Sequence, residues 1–136
     1  MNDEQILQQQ EMQELKQGLL HMQQQLQLLA HQLQELEQVK EAIVSLGKAN
    51  KGDEILVPLD AGVYSQATVT NTKDVLMNVG ANTIVTKKID DARILVDSQI
   101  AELQKIQKDM EEEFSHVSQQ MQMAQMTQRN SEEKEE

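Results

Sequence analysis

The sequence contains no cysteine and no tryptophan, and it has one proline (Pro58), one tyrosine (Tyr64) and one phenylalanine (Phe114) in 136 residues. Without cysteine there is no disulfide framework, no thiolate metal cluster and no thiol nucleophile, which fits a reducing compartment. The near absence of aromatics removes the bulky side chains that fill a large single core. Basic charge is also scarce, at 12 Lys and Arg against 23 Asp and Glu, a formal net charge of −11. That balance opposes nucleic acid as the main partner, because phosphate binding needs a basic footprint. No apolar run approaches the roughly 20 residues that span a bilayer, so no membrane partner is expected. The opening "MNDEQILQQQ" is acidic and glutamine-rich with no apolar h-region, so no secretory signal is expected and the reading is soluble and cytoplasmic.

What the chain does have is Gln, Glu, Leu, Met and Lys in a helical repeat. Met12, Leu19, Leu26, Leu33 and Lys40 recur every seven residues, as do Leu15, Met22, Leu29, Leu36 and Ile43. This seam of about four and a half heptads predicts a coiled coil. Gly47 then reads as a C-terminal stop, followed by the turn-rich "GKANKGDE". The pattern resumes later in the chain. Val96, Leu103, Met110, Val117 and Ala124 form one set, and Ile100, Gln107, Phe114 and Met121 the other. Asp90 or Asp91 suits the start of that helix through capping and the helix dipole. Both helices should be on the order of 60 Å long, and such matched lengths suit an antiparallel pair.

Between them, four short β-forming runs stand out. Ile55, Val57 and Leu59 share a face in the first, and Val63, Ala67 and Val69 in the second. Val75, Met77 and Val79 do so in the third, and Ile84 and Val85 mark the fourth. "DAG" at 60–62 reads as a three-residue hairpin loop, "GAN" at 80–82 closes a second hairpin, and "NTKD" links the two. Pro58 has no N–H and belongs at a strand edge or bulge. The expected fold is thus mainly α: a long antiparallel coiled-coil hairpin with a central insert of two β-hairpins. The segments are 1–47 for the first helix, 48–88 for the hairpins, 89–128 for the second helix and 129–136 for a disordered acidic tail.

Isolated hairpins are marginal in water and open strand edges recruit partners. The insert therefore reads as an assembly module whose strands close an inter-subunit β-barrel or shared sheet. Ile55, Val57, Leu59, Val63, Tyr64, Val69, Val75, Met77, Val79, Ile84 and Val85 are the candidate interface residues. The alternative is a small sheet folded against its own helix ends. Extending the heptads backwards puts Gln5 and Gln8 in the seam and leaves Ile6 and Leu7 outside it; Met123 and Met126 also fall outside. Exposed apolar groups mark binding surfaces, and flexible methionine suits one that accepts many shapes. The candidate binding residues at this end are Ile6, Leu7, Met12, Met121, Met123 and Met126; a frayed helix end is the alternative. Leu20 and Leu28 are off-seam as well.

No catalytic, cofactor or metal site is expected. His21, His31 and His116 fall on outer heptad positions without the spacing of a helical metal pair, and the glycines form no phosphate-binding loop. The chain reads as a non-enzyme.

The order helix, "EILVPLDAGVY", "DVLMNVGANTIVTKKIDDA", helix resembles the alpha class of prefoldin subunits. Leu56 to Leu59 with Gly62 and Tyr64 looks like that family's first hairpin, and Asp74 to Gly80 like its second. Two hairpins point to the alpha class over the beta class. The resemblance covers about residues 5–128, with Asn82, Thr83 and Ile84 where the family often has an aromatic pair and Val. It implies an ATP-independent holdase chaperone, with two alpha and four beta subunits joined through a double β-barrel. The coiled-coil tips would hold unfolded client proteins and pass them to a group II chaperonin. A coiled-coil tether that binds no client is the rival reading.

Overall fold

Asn2 opens the first helix. Its side-chain Oδ1 accepts the Gln5 N–H at 2.9 Å and its carbonyl accepts the Ile6 N–H at 3.3 Å, so it is the N-cap of α1, Asp3–Lys48. In this computed structural model, residues 2–135 are described, with side chains as far as Asn130. Met1 and Glu136, the outer limits of the expected segments 1–47 and 129–136, lie outside the described residues. The remaining elements are β1 (Glu54–Asp60), β2 (Val63–Thr68), β3 (Asp74–Asn78), β4 (Ile84–Lys88) and α2 (Ile89–Glu135). Two long helices thus flank two small antiparallel hairpins. The chain divides into two compact units, one of Met1–Leu33 with Glu102–Glu136 and one of Gln34–Ala101.

In the first unit the heptad positions set the packing. On α1, Gln5, Gln8, Met12, Leu15, Leu19, Met22, Leu26, Leu29 and Leu33 are all half-buried or buried, with Met12 and Leu29 the deepest. On α2 the matching stripe is Leu103, Gln107, Met110, Phe114, Val117, Met121, Ala124 and Gln128. Neighbouring seam residues lie three or four apart, so one narrow stripe of each helix leaves water.

The second unit has the better-shielded core. Ile89, Ala92, Val96 and Ile100 form a stripe on the first turns of α2, and Val69 joins them. Ala92 is wholly inaccessible, and Val69 is 4% exposed. Leu36, Lys40 and Ile43 of α1 are half-buried in the same unit. Lys40 occupies a seam position and pairs there with Asp97 at 2.8 Å. That hydrogen bond, and the charge behind it, raise the lysine above its ordinary pKa of 10.5.

Four sequence expectations are corrected here. Gly47 does not end α1; the helix continues to Lys48, and a methyl at Gly47 would sit 3.5 Å from the Ile89 Cγ2. The exit is made by Asn50, whose N–H donates to the Asp53 carboxylate at 2.8 Å, and by Gly52, at φ +99°. Asp90 and Asp91 lie inside the first turn of α2, because the helix starts at Ile89 directly after β4; they act through charge and do not cap it. The first hairpin loop holds two residues, Ala61 and Gly62, since Asp60 pairs with Val63. Finally, α2 is helical to Glu135, through most of the expected tail. Glu, Lys and Arg are good helix formers, so the loss of the apolar seam does not by itself end the helix.

The link between the hairpins is organised by Asn71, whose Oδ1 accepts the Lys73 and Asp74 N–H groups at 2.8 and 3.1 Å. The Ile89 N–H donates to the Lys73 carbonyl at 2.9 Å, tying the start of α2 to this link. Both hairpins turn on two central residues with positive φ, Ala61–Gly62 and Ala81–Asn82, the backbone that matches strand twist. Asn82, at φ +58°, tolerates this conformation better than most side chains.

Candidate functional site

The hairpins form two separate two-stranded sheets, so each described strand has an edge with no partner strand. Directly opposed residues of an antiparallel pair share a face. In β3–β4, Val75, Met77 and Val85 lie on one face and are half-buried. The other face carries Leu76 and Ile84 beside Asn78 and Thr86, all exposed. In β1–β2, Ile55 and Val57 share a face with Ala67 and Ser65, while Leu56 and Pro58 share the opposite face with Gln66 and Tyr64. Ile55, Leu56, Val57, Leu59, Val63 and Tyr64 are all exposed, as is Val79 beyond β3.

The hydrogen bonding shows what Pro58 does. The Val69 N–H donates to the Asp53 carbonyl at 2.9 Å, so Asp53 and Val69 are a bonded pair of the β1–β2 ladder. Bonded and non-bonded pairs alternate along an antiparallel ladder. Leu56–Gln66 and Pro58–Tyr64 are therefore non-bonded pairs, whose backbone groups point to the outer edges. The missing N–H of Pro58 costs the hairpin nothing and leaves a gap in the donor row on the free edge of β1. Register shifts between Pro58 and Asp60, leaving Leu59 in a bulge. The expected alternation of Ile55, Val57 and Leu59 is broken there.

An open cleft of about 370 Å³ lies in this unit, lined by Leu46, Ile55, Val69, Asn71, Val75, Leu76 and Thr86 among others. Val69 was expected at a subunit interface, but it belongs to the interior of the chain. Its carbonyl accepts the Gly52 N–H at 2.8 Å while its N–H bonds Asp53, which holds the side chain inward. Sequence reading also missed two residues. Leu56 is 64% and Leu76 73% exposed, and both sit on the strand face opposite the one singled out. An apolar residue on each face of a two-stranded sheet was the available signal, since a hairpin covered on one face alone alternates apolar with polar.

The second apolar surface lies in the first unit, at the end that carries the first residues of α1 and the last described side chains of α2. Ile6 and Leu7 are exposed there, and Met123 and Met126 are 68% and 66% exposed. Met12 and Met121 were expected with them but occupy seam positions, so Met12 is buried and Met121 half-buried. A cleft of about 180 Å³ opens between the helices beside Met12, Leu15 and Ala124. Gln8 and Gln128, also in its wall, make this the polar end of the seam.

Neither surface resembles a catalytic centre. Gln25 Nε2 donates to His21 Nε2 at 2.9 Å, and Gln120 Nε2 to His116 Nε2 at 3.3 Å, one helical turn away in each case. Among the described residues, no group of three or more His, Asp or Glu could hold a metal ion. Among the described residues, no helix is long and apolar enough to cross a membrane.

Comparison with known proteins places this architecture. The Prefoldin family profile, described as prefoldin subunit, matches residues 15–132. Prefoldin subunit alpha of Methanopyrus kandleri is 30% identical over 87 residues, covering 64% of this chain and 55% of that protein. Prefoldin subunit alpha of Methanococcus aeolicus is 30% identical over 120 residues, covering 72% of this chain and 83% of its own length. The chain thus spans only about half of the M. kandleri relative. A chain of filamentous PFD from Methanocaldococcus jannaschii, determined by cryo-EM, superposes with a TM-score of 0.71 at 16% identity, over 81% of this chain and 91% of that one. The last similarity establishes the fold. The family match takes in both hairpins and most of both helices, and with it the chain belongs to the prefoldin family, as a subunit of the alpha type.

Proposed function

We propose that this chain is a subunit of an ATP-independent holdase, built into an oligomer through its hairpins and holding unfolded proteins with the exposed end of its first unit. The observation that carries the reading is the pairing of two unlike apolar surfaces. One is fixed in strand register, with β-branched Val57, Val63 and Ile84 beside Leu56 and Leu76, and the other is flexible, at Met123 and Met126. Fixed register suits one partner, and adaptable methionine suits many. The partners in this proposal are beta-type prefoldin subunits, two alpha with four beta, whose strands complete a barrel with the open edges. Clients are captured by several weak contacts on a shared base, which raises the effective concentration of each later contact. They then pass to a group II chaperonin, in the cytoplasm, with no nucleotide or cofactor step and no chemistry on the client.

The test is suppression of aggregation of a dilution-denatured protein by the chain alone and with a beta-type subunit, alongside the mass of each assembly. Protection by a mixed complex supports the reading. A well-formed complex that gives no protection makes the chain a tether. A stable folded monomer that takes up no partner removes the assembly role from the hairpins.

A further inference from the structure

The cleft beside Met12 has a definite chemistry. Ala124 is the smallest residue of a seam otherwise filled by Leu, Met, Val, Phe and Gln, and about 180 Å³ lies open beside it, Met12 and Leu15. Its rim carries one charged group, the carboxylate of Glu11, which is exposed, and its remaining polar groups are neutral. An apolar floor with a carboxylate at the mouth matches a side chain that has an aliphatic stem and a cationic head. The surroundings have the same sign. Residues 1–33 and 102–136 hold 13 acidic and 5 basic side chains, a formal net of −8, against 10 and 7 in residues 34–101. Along α1, Asp3, Glu4, Glu11 and Glu14 precede Lys16, its first base, and in the later part of the chain Arg129 is the one base between Lys108 and Lys134. An acidic field draws cationic segments, and the apolar groups at Ile6, Leu7, Met123 and Met126 hold what arrives.

We infer that this cleft takes lysine or arginine side chains of the segment being held, so that this end of the molecule selects unfolded segments mixing basic and apolar residues over neutral or acidic ones. The inference rests on the client-holding reading and names the chemical class of client. It is tested with the full chain in its assembled complex, by anisotropy titration of two labelled unstructured peptides that share apolar residues and differ in Lys against Gln. One exposed charge contact is worth about 0.2–1 kcal/mol, so the Lys peptide should bind about 1.4-fold to fivefold more tightly for each cleft it engages. Added salt should narrow that gap, and Glu11→Gln should shrink it further. Ala124→Leu, which fills the cleft, should cost the Lys peptide more than the Gln peptide. Equal affinities in the unmodified complex, or a Lys preference unchanged in both variants, would overturn the selection while leaving client holding intact. If neither peptide binds, the holding role itself falls with it.

Discussion

The two units use apolar residues in opposite ways. In Gln34–Ala101, α2 buries Ile89, Ala92, Val96 and Ile100 within the chain, yet the hairpins beside it leave Leu56, Leu76 and Ile84 in water. In the unit of Met1–Leu33 with Glu102–Glu136, burial is spread thinly along a seam, and Met123 and Met126, both unbranched, are the exposed apolar residues of the last described turns of α2. A strand fixes the direction of each side chain, and the β-branched Val57, Val63 and Ile84 are stiff as well, so the hairpin surface fits one shape. Methionine on a helix has three rotatable bonds and adapts. Under the proposed function, the difference separates a surface for a fixed partner from one for varied clients.

Substitutions can break this contrast at several strengths. The largest effect is expected from Leu76→Asp combined with Val57→Asp. A charge left unpaired in a closed interface costs about 3–5 kcal/mol, so the oligomer should dissociate on sizing while helical circular dichroism stays unchanged. An intact oligomer would remove these faces from the assembly role. Next comes Ile100→Ala, a buried truncation expected to cost about 2–4 kcal/mol in chemical denaturation. Ile94→Ala, on the exposed side of the same helix, should stay within about 0.5 kcal/mol. Equal losses at the two positions would mean that the stripe on α2 is misplaced.

A smaller and more specific effect belongs to Lys40. Its pKa is raised by Asp97, so its contribution is fully present below the ordinary value of 10.5 and is lost as pH rises through the raised value. Lys40→Met removes the ion pair and makes the seam continuous. Thermal melts at rising alkaline pH should show an extra fall for the unmodified chain that the variant lacks. A polar group in a seam fixes register at some expense of stability, so the variant should melt no lower at neutral pH. Parallel pH profiles would contradict the assignment.

Much of this was legible in the sequence. The seam from Met12 to Ile43 and from Val96 to Ala124 follows directly from sevenfold spacing, and the four strands follow from β-branched runs between turn residues. What escaped were features that depend on contacts far apart in sequence. Val69 looks like any other strand valine until its backbone is seen bonded to Gly52 and Asp53. Met12 satisfies both a seam pattern and a sticky-end pattern, and only its burial in the folded chain decides between them. Ile89 and Ala92 precede the recognised repeat, because the stripe begins where the strand ends. Leu56 and Leu76 were overlooked because alternation was read as one covered face, whereas each hairpin carries apolar groups on both.

The contrast is tested most directly by photo-crosslinking in the assembled complex during incubation with a denatured protein. A crosslinking side chain replaces Met126 in one sample and Leu76 in another, and the adducts are identified by mass. The account expects client adducts from position 126 and adducts to neighbouring subunits from position 76. Client captured at 76, or only subunits captured at both positions, would contradict the division of labour between the two surfaces.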